Sequence, residues 1–343
     1  MTKTSASRPS SSASPAGNLA QLQLRSSPEL LLVKQLVTMS DLSMTGLATQ
    51  RSTPRPRFKS GGLYPYWFYA PAAAIYVVLF LLPTASSFYF SLMRWSLFDA
   101  TFIGLDNFAQ FLREPFLLQG LVNTLTFAAI SASLKVVLGL GCAVLLTSQI
   151  IARGYLRAVI FFPVVVSTVG VGITFTVLMH PTEGAINQAL AAIGIVGPDW
   201  LTNPRLALIS VALVDVWKGV GMATVIYIAG IVSIPKDYFE AARIDGASKL
   251  QNFLYVTLPL CRPATVTIVT LSLIGGLRTF ELVWTMTRGG PGFSSDVIAS
   301  VIYKQYQSGF YGLSTAGNVV LFLFIVLLVV PLTAYFNRRE GHE

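Results

Sequence analysis

Ile234-Pro235-Lys236-Asp237-Tyr238-Phe239-Glu240-Ala241-Ala242-Arg243-Ile244-Asp245-Gly246-Ala247-Ser248 is a polar interruption between two long apolar runs, 206–233 and 254–286. Its residues predict two short helices at the edge of a bilayer. Pro235 pre-sets the backbone angle of a first helical turn, and Asp237 with Glu240 has the look of a capping box. Gly246 is a natural stop, because glycine enters the left-handed region at no steric cost. Ser248 followed by Gln251 repeats the capping pattern and restarts a helix that runs through Phe253 toward Leu258-Pro259 and the next apolar run. Ala241 and Ala242 permit close approach, while Glu240, Arg243 and Asp245 supply directional contacts. Such a helix suits docking to a partner, and equally suits a connector that only caps a helical bundle.

Working outward, the apolar runs fall at 66–92, 123–150, 157–180, 206–233, 254–286 and 314–337. Each has the roughly 20 residues that a membrane-crossing helix needs. The chain is 53% hydrophobic and 11% charged, against roughly 25% charged residues in soluble domains. The expected class is therefore an all-α polytopic membrane protein of six spans, residues 64–337, with the interruption extending over 234–263. An even number of spans puts both termini on one side. If that side is the cytoplasm, its short segments hold Arg153, Arg157, Lys236, Arg243, Lys249, Arg338 and Arg339, and the long tail adds more. Only Arg94, Arg113, Arg205, Arg288 and Lys304 then lie outside, the bias of the positive-inside rule.

Residues 1–63 are rich in Ser, Thr, Arg and Pro and read as a disordered cytoplasmic tail; 338–343 form a short one. The run 30–33 is too short to span and at most forms a weak amphipathic helix, and a translation start at Met39 or Met44 is an alternative to Met1. The net charge of +9 does not indicate nucleic acid, because the cations sit in loops and tails instead of along one face. Cys142, Cys261, His180 and His342 show no metal-ligand spacing, so neither a metal nor another cofactor is expected.

Lys135, Asp215, Lys218, Arg278 and Glu281 fall inside apolar runs, where a charge costs roughly 2.5 to 3.5 kcal/mol at the bilayer centre. Asp215 with Lys218, and Arg278 with Glu281, are spaced to share a helix face and neutralise each other, whereas Lys135 has no local partner. Arg262 lies toward one end of its run, from which it can reach the headgroups. The charged residues read as the lining of a hydrophilic pathway, with Trp217, Phe280 and Trp284 as stacking surfaces; the other reading is structural ion pairs and aromatic core. Pro71, Pro83, Pro163, Pro259 and Pro263 lie in or beside the runs and predict bends.

Glu240-Ala241-Ala242, then Gly246, then Leu258-Pro259 resembles the EAA loop of binding-protein-dependent ABC permeases. Phe102-Ile103-Gly104-Leu105-Asp106-Asn107-Phe108, Asn123-Thr124 and Gly184-Ala185-Ile186-Asn187 resemble segments of the MalF-like and UgpA-like sugar permeases. Thr287-Arg288-Gly289-Gly290-Pro291, with Tyr303, Phe310, Tyr311-Gly312 and Ala316, is similar to their carbohydrate-uptake signature. Phe175 departs from the pattern, since many relatives carry Trp there. The resemblance implies a MetI-like permease fold in a cell (plasma or inner) membrane, with Glu240 on a coupling helix that lies in a groove of an ATPase subunit. It also implies a second permease subunit, two cytoplasmic ABC ATPase subunits, an extracytoplasmic solute-binding protein and a sugar cargo. Solutes of the glycerol-3-phosphate type remain a second substrate class.

No Walker A sequence is present: Arg288-Gly289-Gly290-Pro291-Gly292 lacks the required Lys, so ATP hydrolysis falls to another chain. An autonomous channel or secondary carrier would use the intramembrane charges as an ion relay, but it has no need of the 234–263 loop. A membrane-embedded enzyme would need a nucleophile and base or a metal set, and no such constellation stands out.

Overall fold

The computed structural model describes residues 66–340, with 97 and 149 excepted. The expected tail 1–63, the run 30–33, the alternative starts and residues 341–343 lie outside the described residues. The chain divides into two compact units, Met1–Pro71 and Ala72–Glu343; of the first, the described residues are the opening turns of helix α1. Helix α1 (Trp67–Ser91) leads into a hairpin of β1 (Met93–Trp95) and β2 (Ala100–Phe102), antiparallel with Arg94 opposite Thr101, and then α2 (Asp106–Arg113). Next come α3 (Pro115–Thr147), α4 (Arg153–Val165), α5 (Thr168–Leu178), α6 (Ala185–Ala192) and α7 (Ala207–Val232). The polar interruption holds α8 (Lys236–Ile244) and α9 (Lys249–Leu260). The chain continues as α10 (Arg262–Leu277), α11 (Glu281–Met286), α12 (Ile298–Gln307) and α13 (Tyr311–Glu340).

Among the described residues α1, α3, α7 and α13 are each long and apolar enough to cross a membrane. Helices α4 and α5 meet at a 101° bend and α9 and α10 at a 65° bend, which makes six crossings if each bent pair is one span. The expected runs agree in number with this arrangement and differ in continuity. In 157–180 the break follows Pro163 by three residues, where Val166 turns extended. In 254–286 Cys261 leaves helical geometry between Pro259 and Pro263, and the chain breaks again over Arg278–Phe280. A proline cannot donate to the carbonyl four residues back, and its ring crowds that carbonyl. The π turns Val77–Leu81 and Phe253–Thr257, lying just before Pro83 and Pro259, widen the helix where those bonds are missing. The second run begins earlier than expected: Pro115 occupies the first turn of α3, where a missing N–H costs nothing.

Helix α3 is the centre of the packing, with α7 and α10 both laid along it; α7 also contacts α4, α11 contacts α5, and α13 contacts α12 and the Leu82–Ser91 part of α1. Lipid is as apolar as leucine, so membrane helices gain by close backbone approach through small residues. Gly139 of α3 is such a place, since a Cβ there would lie 2.7 Å from the Ala223 Cβ of α7. Phe127, Val211, Val214, Leu282 and Val283 form one apolar cluster, and Tyr227, Ala143, Ala223, Ile234 and Ile268 another. The second cluster lies under α8, because Phe239 packs against it.

Candidate functional site

The loop between α7 and α10 is built by local bonds. Helix α8 starts at Lys236 with Pro235 as its N-cap residue, so the expected Asp237–Glu240 capping box is not formed. The helix begins one residue before Asp237, whose carboxylate therefore sits inside the first turn and faces the helix dipole instead of capping it. The stop is the expected one: Gly246 adopts φ +76, its N–H bonds to the Arg243 carbonyl at 3.1 Å and the Ala247 N–H to the Ala242 carbonyl at 2.9 Å. That paired closure satisfies carbonyls the helix end would otherwise leave open. Ser248 restarts the chain as expected. Its hydroxyl accepts from the Gln251 N–H at 3.3 Å, and its own N–H donates to Gln251 Oε1 at 2.8 Å.

No residue of α8 is buried. Glu240, Ala241, Arg243, Asp245, Gly246, Leu258 and Pro259 are exposed and Ala242 is half-buried. Phe239 and Ile234 anchor this exposed surface to the bundle, while Ile244 and Tyr255, 85% and 76% exposed, stand out from it.

The charges inside the bundle pair differently from the expected scheme. Lys135 of α3 is 8% exposed and its Nζ lies 2.7 Å from Asp215 Oδ2 of α7, an oxygen that also accepts from the Ser131 hydroxyl. Among the described residues no ion pair joins Asp215 to Lys218 or Arg278 to Glu281. Asp215 is already taken across the helix interface. Arg278 and Glu281 flank the break between α10 and α11, so their spacing no longer places them on one face. Ser131, one helical turn from Lys135, is the partner that sequence reasoning passed over. A Cβ on Gly219 would lie 2.5 Å from Lys135 Cε, so that glycine makes room for the lysine stem. Lys135, Gly219, Met222 and Ser272 line a cleft between α3, α7 and α10.

The aromatics form two separate groups. Trp217 is 42% exposed and leans on Phe175, ring centroids 5.1 Å apart. Phe280 and Trp284 stack at 5.8 Å, and both contact Tyr303 of α12, at 5.2 and 4.9 Å. Tyr303 was not foreseen as their partner.

The loop after α11 is internally tied. Asn123 of α3 donates to the carbonyls of Ser294 and Asp296 at 3.1 and 2.8 Å, and the Thr124 hydroxyl accepts from the Ile298 N–H at 2.9 Å. Asp296, 1% exposed, accepts from Ser300 Oγ at 2.7 Å and Lys304 Nζ at 2.6 Å. Gly289 adopts φ +84, and a Cβ there would overlap the Asp296 carboxylate. Arg288 and Phe293 are also left-handed, at roughly 1 to 2 kcal/mol each for a residue with a Cβ. The other quoted motifs behave alike. Asn107 donates to the carbonyls of Ser91 and Met93, and Asn187 donates to the Pro181 carbonyl while accepting from Trp200 Nε1 at 2.7 Å. These positions are joints of the fold.

Residues 135–342 match the family model described as "Binding-protein-dependent transport system inner membrane component". The trehalose/maltose transport system permease protein MalF of Thermococcus litoralis is 31% identical over 77% of this chain and 90% of its own length. The arabinooligosaccharides transport system permease protein AraP of Bacillus subtilis is 32% identical over 83% of this chain and 91% of its own. A chain in the crystal structure of a bacterial ABC transporter involved in the import of the acidic polysaccharide alginate superimposes with TM-score 0.68 at 22% identity, covering 80% of this chain and 94% of that one. At that identity the likeness speaks for the fold, and it is the fold that the joints and crossings described above build. With the family match extending from Lys135 of the buried pair through the exposed loop to the last helix, the chain belongs to the binding-protein-dependent transport system inner membrane components and is a multi-pass membrane protein.

Proposed function

We propose that this chain is a transmembrane permease subunit of an ATP-driven importer, forming half of a translocation pathway for a sugar or oligosaccharide. A second permease subunit supplies the other half, an extracytoplasmic solute-binding protein delivers the cargo, and two cytoplasmic ATPase subunits hydrolyse ATP. Both termini lie in the cytoplasm, 64–337 is the membrane domain, and the 234–263 loop is the contact with the ATPases. The observation that carries this reading is helix α8. It is stopped by the Gly246 and Ala247 bonds, buries no residue in this chain, and presents Glu240, Ala241, Arg243 and Asp245 outward from a Phe239 anchor. An unburied helix anchored to the bundle through Ile234 and Phe239 can transmit a push, and the chain's family is that of binding-protein-dependent transport systems. The carbohydrate cargo is supported by two relatives named for trehalose/maltose and arabinooligosaccharides.

Purification of the chain from detergent-solubilised membranes tests the coupling. The wild type is expected to retain an ATPase subunit, and Glu240→Lys to lose it while keeping the second permease. Transport by the isolated chain reconstituted alone would replace this reading with an autonomous carrier.

A further inference from the structure

Among the described residues, Lys218 is the intramembrane cation of α3 and α7 that has no ion-pair partner. It is the twelfth residue of α7, about 16 Å from the nearer helix end at 1.5 Å per residue. That depth approaches the middle of a hydrocarbon core about 30 Å thick, beyond the reach of a lysine stem to the headgroups. The carboxylate one turn away, Asp215, is committed to Lys135 and Ser131. Among the described residues the Lys218 ammonium forms no ion pair or hydrogen bond. Asp215 therefore balances Lys135 alone, and the charge of Lys218 is left over.

An uncompensated cation at that depth is costly, so it faces water, an anion, or both. Asp215, Lys218, Gly219 and Met222 fall on one face of α7 by their spacing. Gly219 and Met222 line the cleft that Lys135 and Ser272 also border. Lys218 is half-buried one residue before Gly219 of that cleft, and Trp217, the residue before it, presents an exposed ring. Successive residues of a helix point about 100° apart, so the Trp217 ring and the Lys218 ammonium can hold a sugar carrying an acidic group only from two sides: the sugar face against the indole and the oxyanion at the ammonium.

We infer that Lys218 selects the cargo, which is a sugar bearing an anionic oxyacid group, a carboxylate or a phosphate. This rests on the carbohydrate reading above and narrows it. The Lys135–Asp215 pair holds α3 and α7 in register, and Lys218 supplies the charge that the cargo neutralises as it crosses.

The test is uptake of radiolabelled sugars by the complete importer with its own binding protein. The neutral probes are maltose and trehalose; the acidic ones are digalacturonate and glucose 6-phosphate, which separate carboxylate from phosphate. The expected result is uptake of an acidic probe that falls at least tenfold in Lys218→Met and is largely kept in Lys218→Arg. Both variants are expected to retain the partner subunits on purification. Uptake of neutral probes alone, or an acidic probe carried by Lys218→Met at the wild-type rate, overturns the role of Lys218 and leaves the carbohydrate reading standing. Loss of the second permease from Lys218→Met assigns the missing anion to that subunit and likewise overturns it. An assembled wild-type importer that carries neither kind of sugar overturns the carbohydrate reading itself.

Discussion

The loop at α8–α9 and the interior between α3 and α7 are both polar regions of an apolar chain, and they are held by opposite means. In the loop every stabilising bond joins residues close in sequence: Ala247 to Ala242, Gly246 to Arg243, Ser248 to Gln251. In the interior the decisive bond joins Lys135 to Asp215, 80 positions apart, and the loop after α11 hangs on Asn123, 173 positions from Asp296. A locally built element keeps its shape while its surface stays free for a partner. A pair formed between helices commits its side chains to the fold. Polar residues of the same kinds therefore serve as a contact surface in one place and as fasteners in the other.

The largest effect that would break this contrast is expected from Asp215→Ala. It leaves the Lys135 ammonium buried without its partner, at roughly 3 to 5 kcal/mol, so thermal unfolding of the purified chain should shift steeply downward. The Lys135→Met, Asp215→Leu double variant removes both charges and should recover most of that loss. A single variant as stable as the wild type would mean the pair contributes nothing. Asn123→Ala comes next. It strands the Ser294 and Asp296 carbonyls at roughly 1 to 3 kcal/mol, read as a lower unfolding temperature with protease cleavage near 289–296.

Ser248→Ala is expected to be smaller, about 1 kcal/mol for a lost helix cap, and confined to faster amide exchange at Gln251 and its neighbours. Glu240→Lys sharpens the comparison from the other side. Its exposed side chain makes no contact that the fold requires, so the chain's own stability should stay within about 0.5 kcal/mol while the ATPase is lost. A destabilisation comparable to that of Asp215→Ala would make α8 a fastener too.

Much of the site was legible where partners lie within a helical turn of each other. The Gly246 stop and the Ser248–Gln251 box follow from spacing alone, and both are formed. Spacing misled where a backbone break or a stronger distant partner intervened. Asp237 does not cap because Pro235 starts the helix early; Arg278 and Glu281 do not pair because the chain leaves the helix between them; Asp215 ignores Lys218 because Lys135 reaches it from α3. The signature residues around Gly289-Gly290-Pro291 were recognisable as a pattern, but nothing in their order revealed that Gly289 must leave room for Asp296.

The sequence by itself determined that this is a membrane protein with six apolar runs, where its polar interruption falls, and how that interruption stops at Gly246 and restarts at Ser248. All of these depend on composition and on neighbours a few residues apart, whose geometry the helix repeat dictates. The tertiary structure alone decided which runs are bent, which charges meet, and which cation is left over. Those outcomes depend on how α3, α7 and α10 pack side by side, and the distance along the chain between Lys135 and Asp215 carries no trace of the 2.7 Å that separates them in space.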